Sequence, residues 1–491
     1  MRRLPPLVLA VCAAVLAPAT AGAQVVPEVG GGAAPRVDST AALALTLGDA
    51  VRLALTRSLE LERAGYAVDL RGLDVGDARA AGDPTLDASV GPALRVQRGY
   101  RTGFFGVPDP GFFDPDLVDS LGLDPDVFRL TTGTDVIFGV TAGAQLNWLL
   151  YDGGALRARR DAAEQTLEAA RLDRDRTAED VANNAAVQYL QVLQFADLVA
   201  VEQTNLESDR ALLDRVQAEY DVGNRNLGDV LQQQAAIAQG EQRLATARRN
   251  EAVARLGLRQ LLRLPIGTPL ALAPAPPELL ALPTPTLDVA ALVARAYSER
   301  ADLDAQAALI EASRLDIRAA RAGRSPVVSL GSSVGTSYTT FDDNRGPLGQ
   351  VFDVNPNTSV GLSLSVPILD QGRTRRAVER AEVVLADADA VLELQRLRVA
   401  SDVETAVLDA RAARARLAAA EQGVLAAREA LAAAEARYRQ GAGIFLDVLD
   451  ARRTLVQTEA DVATARTDLL VARVTVAYQA GLLGDALVAI D

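Results

Sequence analysis

Sixty-eight consecutive residues, from Ala155 to Val222, contain neither glycine nor proline. Ala, Leu, Arg, Glu and Asp dominate the run, and most of these are good helix formers. An unbroken helix of that length extends roughly 100 Å at 1.5 Å per residue, several times an ordinary globular helix. Within it Val181, Ala185, Tyr189, Val192, Ala196 and Val199 recur at spacings of four and three, an apolar seam of coiled-coil type. Such a rod is too long for the interior of a compact domain, and its seam requires neighbours.

The rod occurs twice. YDVGNRNLGDVL at Tyr220 to Leu231 is matched by YRQGAGIFLDVL at Tyr438 to Leu449, an offset of 218. The same offset pairs Gly143, Leu146, Asp152 and Gly154 with Gly361, Leu364, Asp370 and Gly372. Val399, Val403, Val407 and Ala410 continue the seam in the second copy, where Gly423 is the only breaker between Arg373 and Gln440. Further upstream the offset is 242, pairing Leu73, Asp74, Arg79 and Pro84 with Leu315, Asp316, Arg321 and Pro326. The first copy therefore carries 24 more residues, lying between about Val90 and Gly143. A period this long is a duplicated half-molecule, because solenoid units run to roughly 20–50 residues.

Strands interrupt the helical pattern. Val136, Phe138, Val140, Ala142, Ala144, Leu146, Trp148 and Leu150 alternate with small or polar residues, the period of two that marks a two-faced strand. Val360, Leu362, Leu364, Val366 and Ile368 alternate likewise, and weaker partners precede each, Thr85 to Val96 and Val327 to Phe341. Their length and polarity suit transmembrane strands, with an apolar face to lipid and a polar face to a lumen. An ordinary sheet with one face on a core is the competing reading. Four strands cannot close a barrel in lipid, where open edges are not tolerated. Oligomerisation is the consequence, and three copies supply twelve strands with a matching ring of helices.

The N-terminus reads as an export signal. Arg2 and Arg3 precede the apolar run Leu7 to Leu16, and Ala21-Gly22-Ala23 offers small residues for cleavage. Two alternatives are an uncleaved anchor and lipid attachment at Cys12, the latter disfavoured by bulky Val11. Loss of the two arginines moves the formal charge from −14 to −16, an acidity that argues against nucleic-acid partners. The chain has no histidine or lysine, and its single cysteine lies in the signal. Most nucleophiles, the neutral-pH proton shuttle and the N/S ligands of zinc are thus missing, and carboxylates, hydroxyls and arginine are what remain for chemistry. The expectation is a non-enzyme without cofactor or metal.

The predicted organisation is a signal peptide at 1–23, an N-terminal extension at 24–44 and a first copy at 45–264. That copy comprises a helix at 46–82, strands at 85–97 and 136–151, a long helix at 153–221, a tip turn at 222–230 and a return helix at 231–264. A Pro-rich connector at 265–286 follows. The second copy, 287–483, repeats the order: helix 287–323, strands 327–341 and 358–369, long helix 372–439, tip turn 440–448 and return helix 449–483, before a tail at 484–491. The long first loop, with Phe104, Phe105, Phe112 and Phe113, reads as exposed with some packing of its own. Asp114, Asp116, Asp124 and Asp126 flank its prolines; solvated turns are favoured over a calcium site, since an EF-hand's ligand spacing is lacking.

This order, found twice, together with the Leu-Thr-Leu-x-x-Ala opening at Leu45 to Ala50 and two glycine-containing tip turns, resembles the TolC-type outer-membrane efflux and secretion channels. The resemblance spans Leu45 to about Leu483. It implies a fold that is mainly α with a transmembrane β-barrel: a homotrimer whose twelve-stranded outer-membrane barrel continues into a twelve-helix periplasmic α-barrel, built from two repeats per chain. It implies contact with outer-membrane lipid, a periplasmic adaptor (membrane fusion) protein and an inner-membrane transporter of RND or ABC type. The implied activity is a passive exit duct for a tripartite efflux pump or a type I secretion system, gated at the periplasmic tip. A periplasmic coiled-coil scaffold without a pore is the alternative.

Carried over by motif, the gate ring is Asp447 and Asp450, and the closed-state latch is Tyr438 with Asp229. Gly443 stands where relatives can carry an arginine, and Arg225 of the first copy is its candidate substitute. In a trimer the two carboxylates place six like charges on one axis, excluding anions, attracting cations and raising some of their pKa values. Asp447 also suits a helix cap. The tip turns, with Gly223, Leu227, Val230, Gly441, Phe445 and Val448, are the implied adaptor-docking surface. Gly223 and Gly441 serve there either close backbone approach or a positive φ.

Overall fold

A computed structural model describes residues 43–101, 131–275, 288–340 and 347–483. The signal peptide, most of the N-terminal extension, the phenylalanine-rich loop with its Asp-Pro-Asp triplets, residues 276–287 of the Pro-rich connector, residues 341–346 of the second loop and the C-terminal tail lie outside the described residues.

The chain begins with a short strand, β1 (Leu43–Leu45), followed by helices α1 (Leu47–Arg57) and α2 (Leu59–Ala80). Strands β2 (Thr85–Arg101) and β3 (Thr131–Tyr151) lead to α3 (Ala155–Asp221) and α4 (Leu227–Leu261). After β4 (Leu270–Leu272) the order returns as α5 (Val289–Glu299), α6 (Ala301–Arg321), β5 (Val327–Thr339), β6 (Asn357–Ser365), α7 (Arg373–Arg439) and α8 (Phe445–Gln479). The long helices α3 and α7 both have 67 residues, and the return helices α4 and α8 both have 35.

Two helices expected to be continuous are divided. The 46–82 segment breaks at Ser58, whose hydroxyl accepts from the Leu61 N–H at 3.3 Å and caps α2. The 287–323 segment breaks at Arg300, which has extended backbone and a buried guanidinium bonded to Asp302 at 2.8 and 3.0 Å and to Gln479 at 3.0 Å. The return helices start four residues earlier than expected, because Asn226 Oδ1 accepts from the Asp229 N–H at 3.0 Å and caps α4 there. Its counterpart α8 starts at the matching position without a side-chain cap. The strand expected to reach residue 369 ends at Ser365, just before Pro367, which lacks a ladder donor.

Neither the extension nor the connector is wholly irregular. β1 and β4 pair in parallel, Leu43 with Leu270 through Leu45 with Leu272. The Tyr189 hydroxyl, fully buried at the middle of α3, lies 2.7 Å from the Ala273 carbonyl and 3.0 Å from that of Leu45. Burial pushes its phenol up to about 12. Around it Leu47, Ala54, Val181, Leu190, Leu258 and Leu262 form the largest buried cluster. The seam of α3 thus buries against α1, α4 and the strand pair, not against a single coiled-coil partner.

The helices stand side by side. α6 and α8 both lie between α3 and α7, α6 toward the sheet and α8 toward the tip, while α2 and α4 flank the far side of α3. Each level is therefore four helices wide, with α2 or α4 at one edge and α7 at the other. The edges carry unburied apolar side chains: Leu70 and Leu73 on α2, Leu256 on α4, and Val383, Leu397 and Leu425 on α7.

The antiparallel sheet has the order β2-β3-β5-β6, so β2 and β6 are open edges. Directly paired residues share a face. Register puts Leu86 beside Leu146, Trp148 beside Leu330 and Leu330 beside Leu362 on one face. The opposite face aligns Asp87 with Gln145 and Ser333, and carries the hydroxyl pairs Ser329–Ser363 and Ser333–Ser359 at 2.7 and 2.8 Å. Among the described residues no helix packs across either face, and Leu86, Leu94, Val360 and Leu362 stay largely exposed.

Strand passes to helix in the same way in both halves. Asp152 accepts from the N–H groups of Gly154 and Leu156, and Asp370 from those of Gly372 and Thr374, at 2.7–3.1 Å. Gly154 and Gly372 are left-handed, at φ +88° and +74°. The sequence pairs of aspartate and glycine are thus two copies of one strand-to-helix turn.

Candidate functional site

At the end of the molecule away from the sheet, α3 and α7 stop by the same device. The Gly223 and Asn224 N–H groups bond back to the Tyr220 and Glu219 carbonyls, and those of Gly441 and Ala442 to Tyr438 and Arg437. Both glycines have positive φ, +81° and +72°, and a Cβ on either would meet open space. Within the chain their role is conformational.

Across this tip the two halves are joined. The Tyr438 hydroxyl donates to Asp229 Oδ2 at 2.7 Å. The Arg225 guanidinium lies 3.8 Å above the Tyr438 ring and bonds Glu219 Oε2 at 2.7 Å, a stacked cation held by a carboxylate. Phe445 packs against the same ring, its centroid 5.2 Å from that of Tyr438 and its plane tilted by 47°. Burial, reinforced by the bond to Asp229, holds the Tyr438 phenol well above its ordinary value of 10, so it remains a donor at any physiological pH. A Cβ at Gly443 would lie 3.2 Å from the Arg437 Cβ, and the cation beside Tyr438 comes from Arg225 instead.

Asp447 and Asp450 are exposed and one turn apart near the start of α8. Asp450 pairs with Arg453 at 3.2 Å. The cap reading of Asp447 is corrected: Ile444 occupies the N-cap, and Asp447 lies inside the first turn. There its charge still favours the helix dipole.

Three residues expected on a docking surface are interior. Val230, Phe445 and Val448, at 2%, 3% and 1% exposure, form the tip core with Val216, Ala434 and Leu449; only their apolar character was visible in sequence, not its direction. Leu227 is exposed, as are Val222, Ile444 and Leu446 of the same two turns. Also missed was a second phenol–carboxylate–arginine cluster near the upper end of α8. There Tyr478 donates to Asp180 at 2.6 Å and Arg176 lies 4.2 Å from the Tyr478 ring. Among the described residues no group of three His, Cys, Asp or Glu is placed to hold a metal, and no helix is long and apolar enough to cross a membrane.

Residues 50–262 and 292–482 match the outer membrane efflux protein family. The chain belongs to that family. Among its relatives are the pyoverdine export outer membrane protein OpmQ of Pseudomonas putida, 29% identical over 62% of this chain, and the outer membrane protein TolC of Escherichia coli, 30% identical over 62%. The chain spans 63% and 61% of the length of these two relatives. The outer membrane efflux protein BepC of Brucella suis is 25% identical over 80% of this chain and 79% of its own. In fold, this outer membrane efflux protein superposes on CusC with a TM-score of 0.70 at 17% identity, covering 89% of this chain and 92% of that one. It superposes on VceC of Vibrio cholerae with a TM-score of 0.65 at 18% identity, covering 89% and 96%. Its place is the outer membrane.

Proposed function

We propose that three copies close into a passive exit duct, a twelve-stranded barrel in lipid continuing into a twelve-helix tunnel, built from two repeats per chain. The observation that carries this is the sheet. Among the described residues it has one apolar and one polar face, no long helix packed across either, and two unpaired edges. Lipid admits such a sheet only when its edges are joined, and the unburied apolar side chains on α2, α4 and α7 call for the same closure one level down. The aromatic side chains agree in height. Ten residues of β3 separate Phe138 from Trp148, about 34 Å along the strand and about 25 Å across a membrane at the usual tilt. Trp148 Nε1 donates to the Gly82 carbonyl at 3.1 Å, where an interfacial ring belongs. A pore-free scaffold gives this sheet no purpose.

In this duct substrates move on energy supplied by a partner, an inner-membrane RND or ABC transporter joined through a periplasmic adaptor. Export of pyoverdine by the OpmQ relative is the kind of traffic such a duct carries. Asp447 and Asp450 line the tip constriction, and Tyr438, Asp229 and Arg225 hold it closed. The adaptor meets the exposed tip groups, Leu227 beside the Gly223 turn and Ile444 and Leu446 beside the Gly441 turn. The decisive experiment is mass measurement and planar-bilayer conductance of the purified protein. A trimer with cation-selective conductance is expected, and Asp447→Ala/Asp450→Ala weakens that selectivity. A monomer without conductance overturns the reading, and unchanged reversal potentials in the double variant remove the gate assignment.

A further inference from the structure

β6 pairs with β5 only as far as Asn357 opposite Gly335, yet β5 continues to Thr339. Beyond Gly335 that edge is occupied by a strap, the turns Pro347–Gly349 and Gln350–Val354. Gln350 Oε1 accepts from the Thr339 N–H at 2.9 Å, Asn355 Nδ2 donates to the Ser337 carbonyl at 2.6 Å, and the Thr336 hydroxyl donates to the Val351 carbonyl at 2.6 Å. Side chains thus take over the edge bonds that a longer β6 would make, and Gln350 is almost wholly buried.

The pleat tells which side the strap favours. Thr336 is opposite Ala142 and shares its face with Val334, Leu330 and Leu362. Its bond to Val351 therefore draws the strap toward the apolar side. Leu348 and Phe352 flank the inward Gln350 and remain 55% and 76% exposed. They are at the end of the sheet remote from the helices, level with Tyr338. Asp353 beside Phe352 is exposed as well, which suits a shallow position and not a deep one.

We propose that this strap seats Leu348 and Phe352 in the boundary between acyl chains and headgroups of the outer leaflet, fastening the loop end of the barrel to lipid. The proposal rests on the apolar face being the lipid face. It continues that face outward with an aromatic and an aliphatic side chain, the kind that collects at membrane interfaces.

Site-directed spin labelling tests it. In a Cys12→Ser background, Leu348→Cys, Phe352→Cys, Leu362→Cys and Ser359→Cys are each labelled with a nitroxide and reconstituted in phosphatidylethanolamine/phosphatidylglycerol vesicles. Power saturation then compares access of oxygen with access of a water-soluble nickel chelate. The expected order of the oxygen-to-nickel ratio is highest at 362, intermediate at 348 and 352, and several-fold lower at 359. If 362 is in lipid while both strap labels match 359, the strap proposal fails and the barrel reading survives. If 362 is itself open to nickel, both fail. The two strap positions are independent, so failure of one variant to assemble leaves the other to decide.

Discussion

Tyr438 joins two halves of the chain through one proton. Replacing it by Phe keeps the ring beneath Arg225 and against Phe445 but removes the donor to Asp229. A bond to a charged acceptor contributes about 1.5–3 kcal/mol, toward the lower end here because Asp229 is partly solvated. Tyr438→Phe is expected to raise single-channel conductance or open probability without loss of assembly, checked in planar bilayers. At the other end of α7, bonds from the Thr374 hydroxyl and N–H, with help from Gly372, hold the Asp370 carboxyl down at about 2. A depressed folded pKa gives stability that is complete above the unfolded value of about 3.9 and lost as pH falls through the folded one. Between about pH 4 and pH 2 the thermal midpoint of the native protein should therefore fall more steeply than that of Asp370→Asn, as followed by circular dichroism.

Among the elements, the strand pair β1–β4 is short, at three residues per strand. It persists because α3 and α4 reach it with polar side chains, Tyr189 at the Leu45 and Ala273 carbonyls and Arg255 at the Leu270 carbonyl, 2.6 Å away. Tyr189→Phe leaves a buried carbonyl short of a donor, a loss of about 1–3 kcal/mol. Amide exchange should quicken at 43–45 and 270–272 before it changes in the tip helices, as read by mass spectrometry. The long helices are fastened at intervals along their length. Buried apolar clusters alternate with polar contacts such as Arg452–Asp209 at 3.2 Å and Arg243–Glu202 at 3.1 Å.

For the whole molecule, the two faces of the sheet should answer differently to charge. Leu362 and Ser363 are neighbours on β6 and project to opposite sides. An arginine on a lipid face near the membrane midplane costs about 2–4 kcal/mol, whereas one on a lumen face changes selectivity. Leu362→Arg should lower the yield of trimer in the outer-membrane fraction. Ser363→Arg should assemble normally and shift the reversal potential toward anions. Equal behaviour of the two variants would contradict a barrel.

Signals that repeat along the chain were legible before any coordinates. The absence of breakers from 155 to 222 foretold a helix that runs to Asp221, and alternation foretold which side of β3 and β6 is apolar, because periodicity is a local property of the backbone. Ser58 and Asn226 were readable as caps, each with an acidic residue in the following turn, and were overlooked. What the tertiary structure alone decided is which element covers which face. Nothing near Leu43 announces its pairing with Leu270, and nothing near Val230 or Phe445 that they turn inward. Those outcomes depend on contacts between residues some two hundred positions apart. A local pattern tells that a side chain will seek apolar company or a charge partner, and only the assembled fold supplies it.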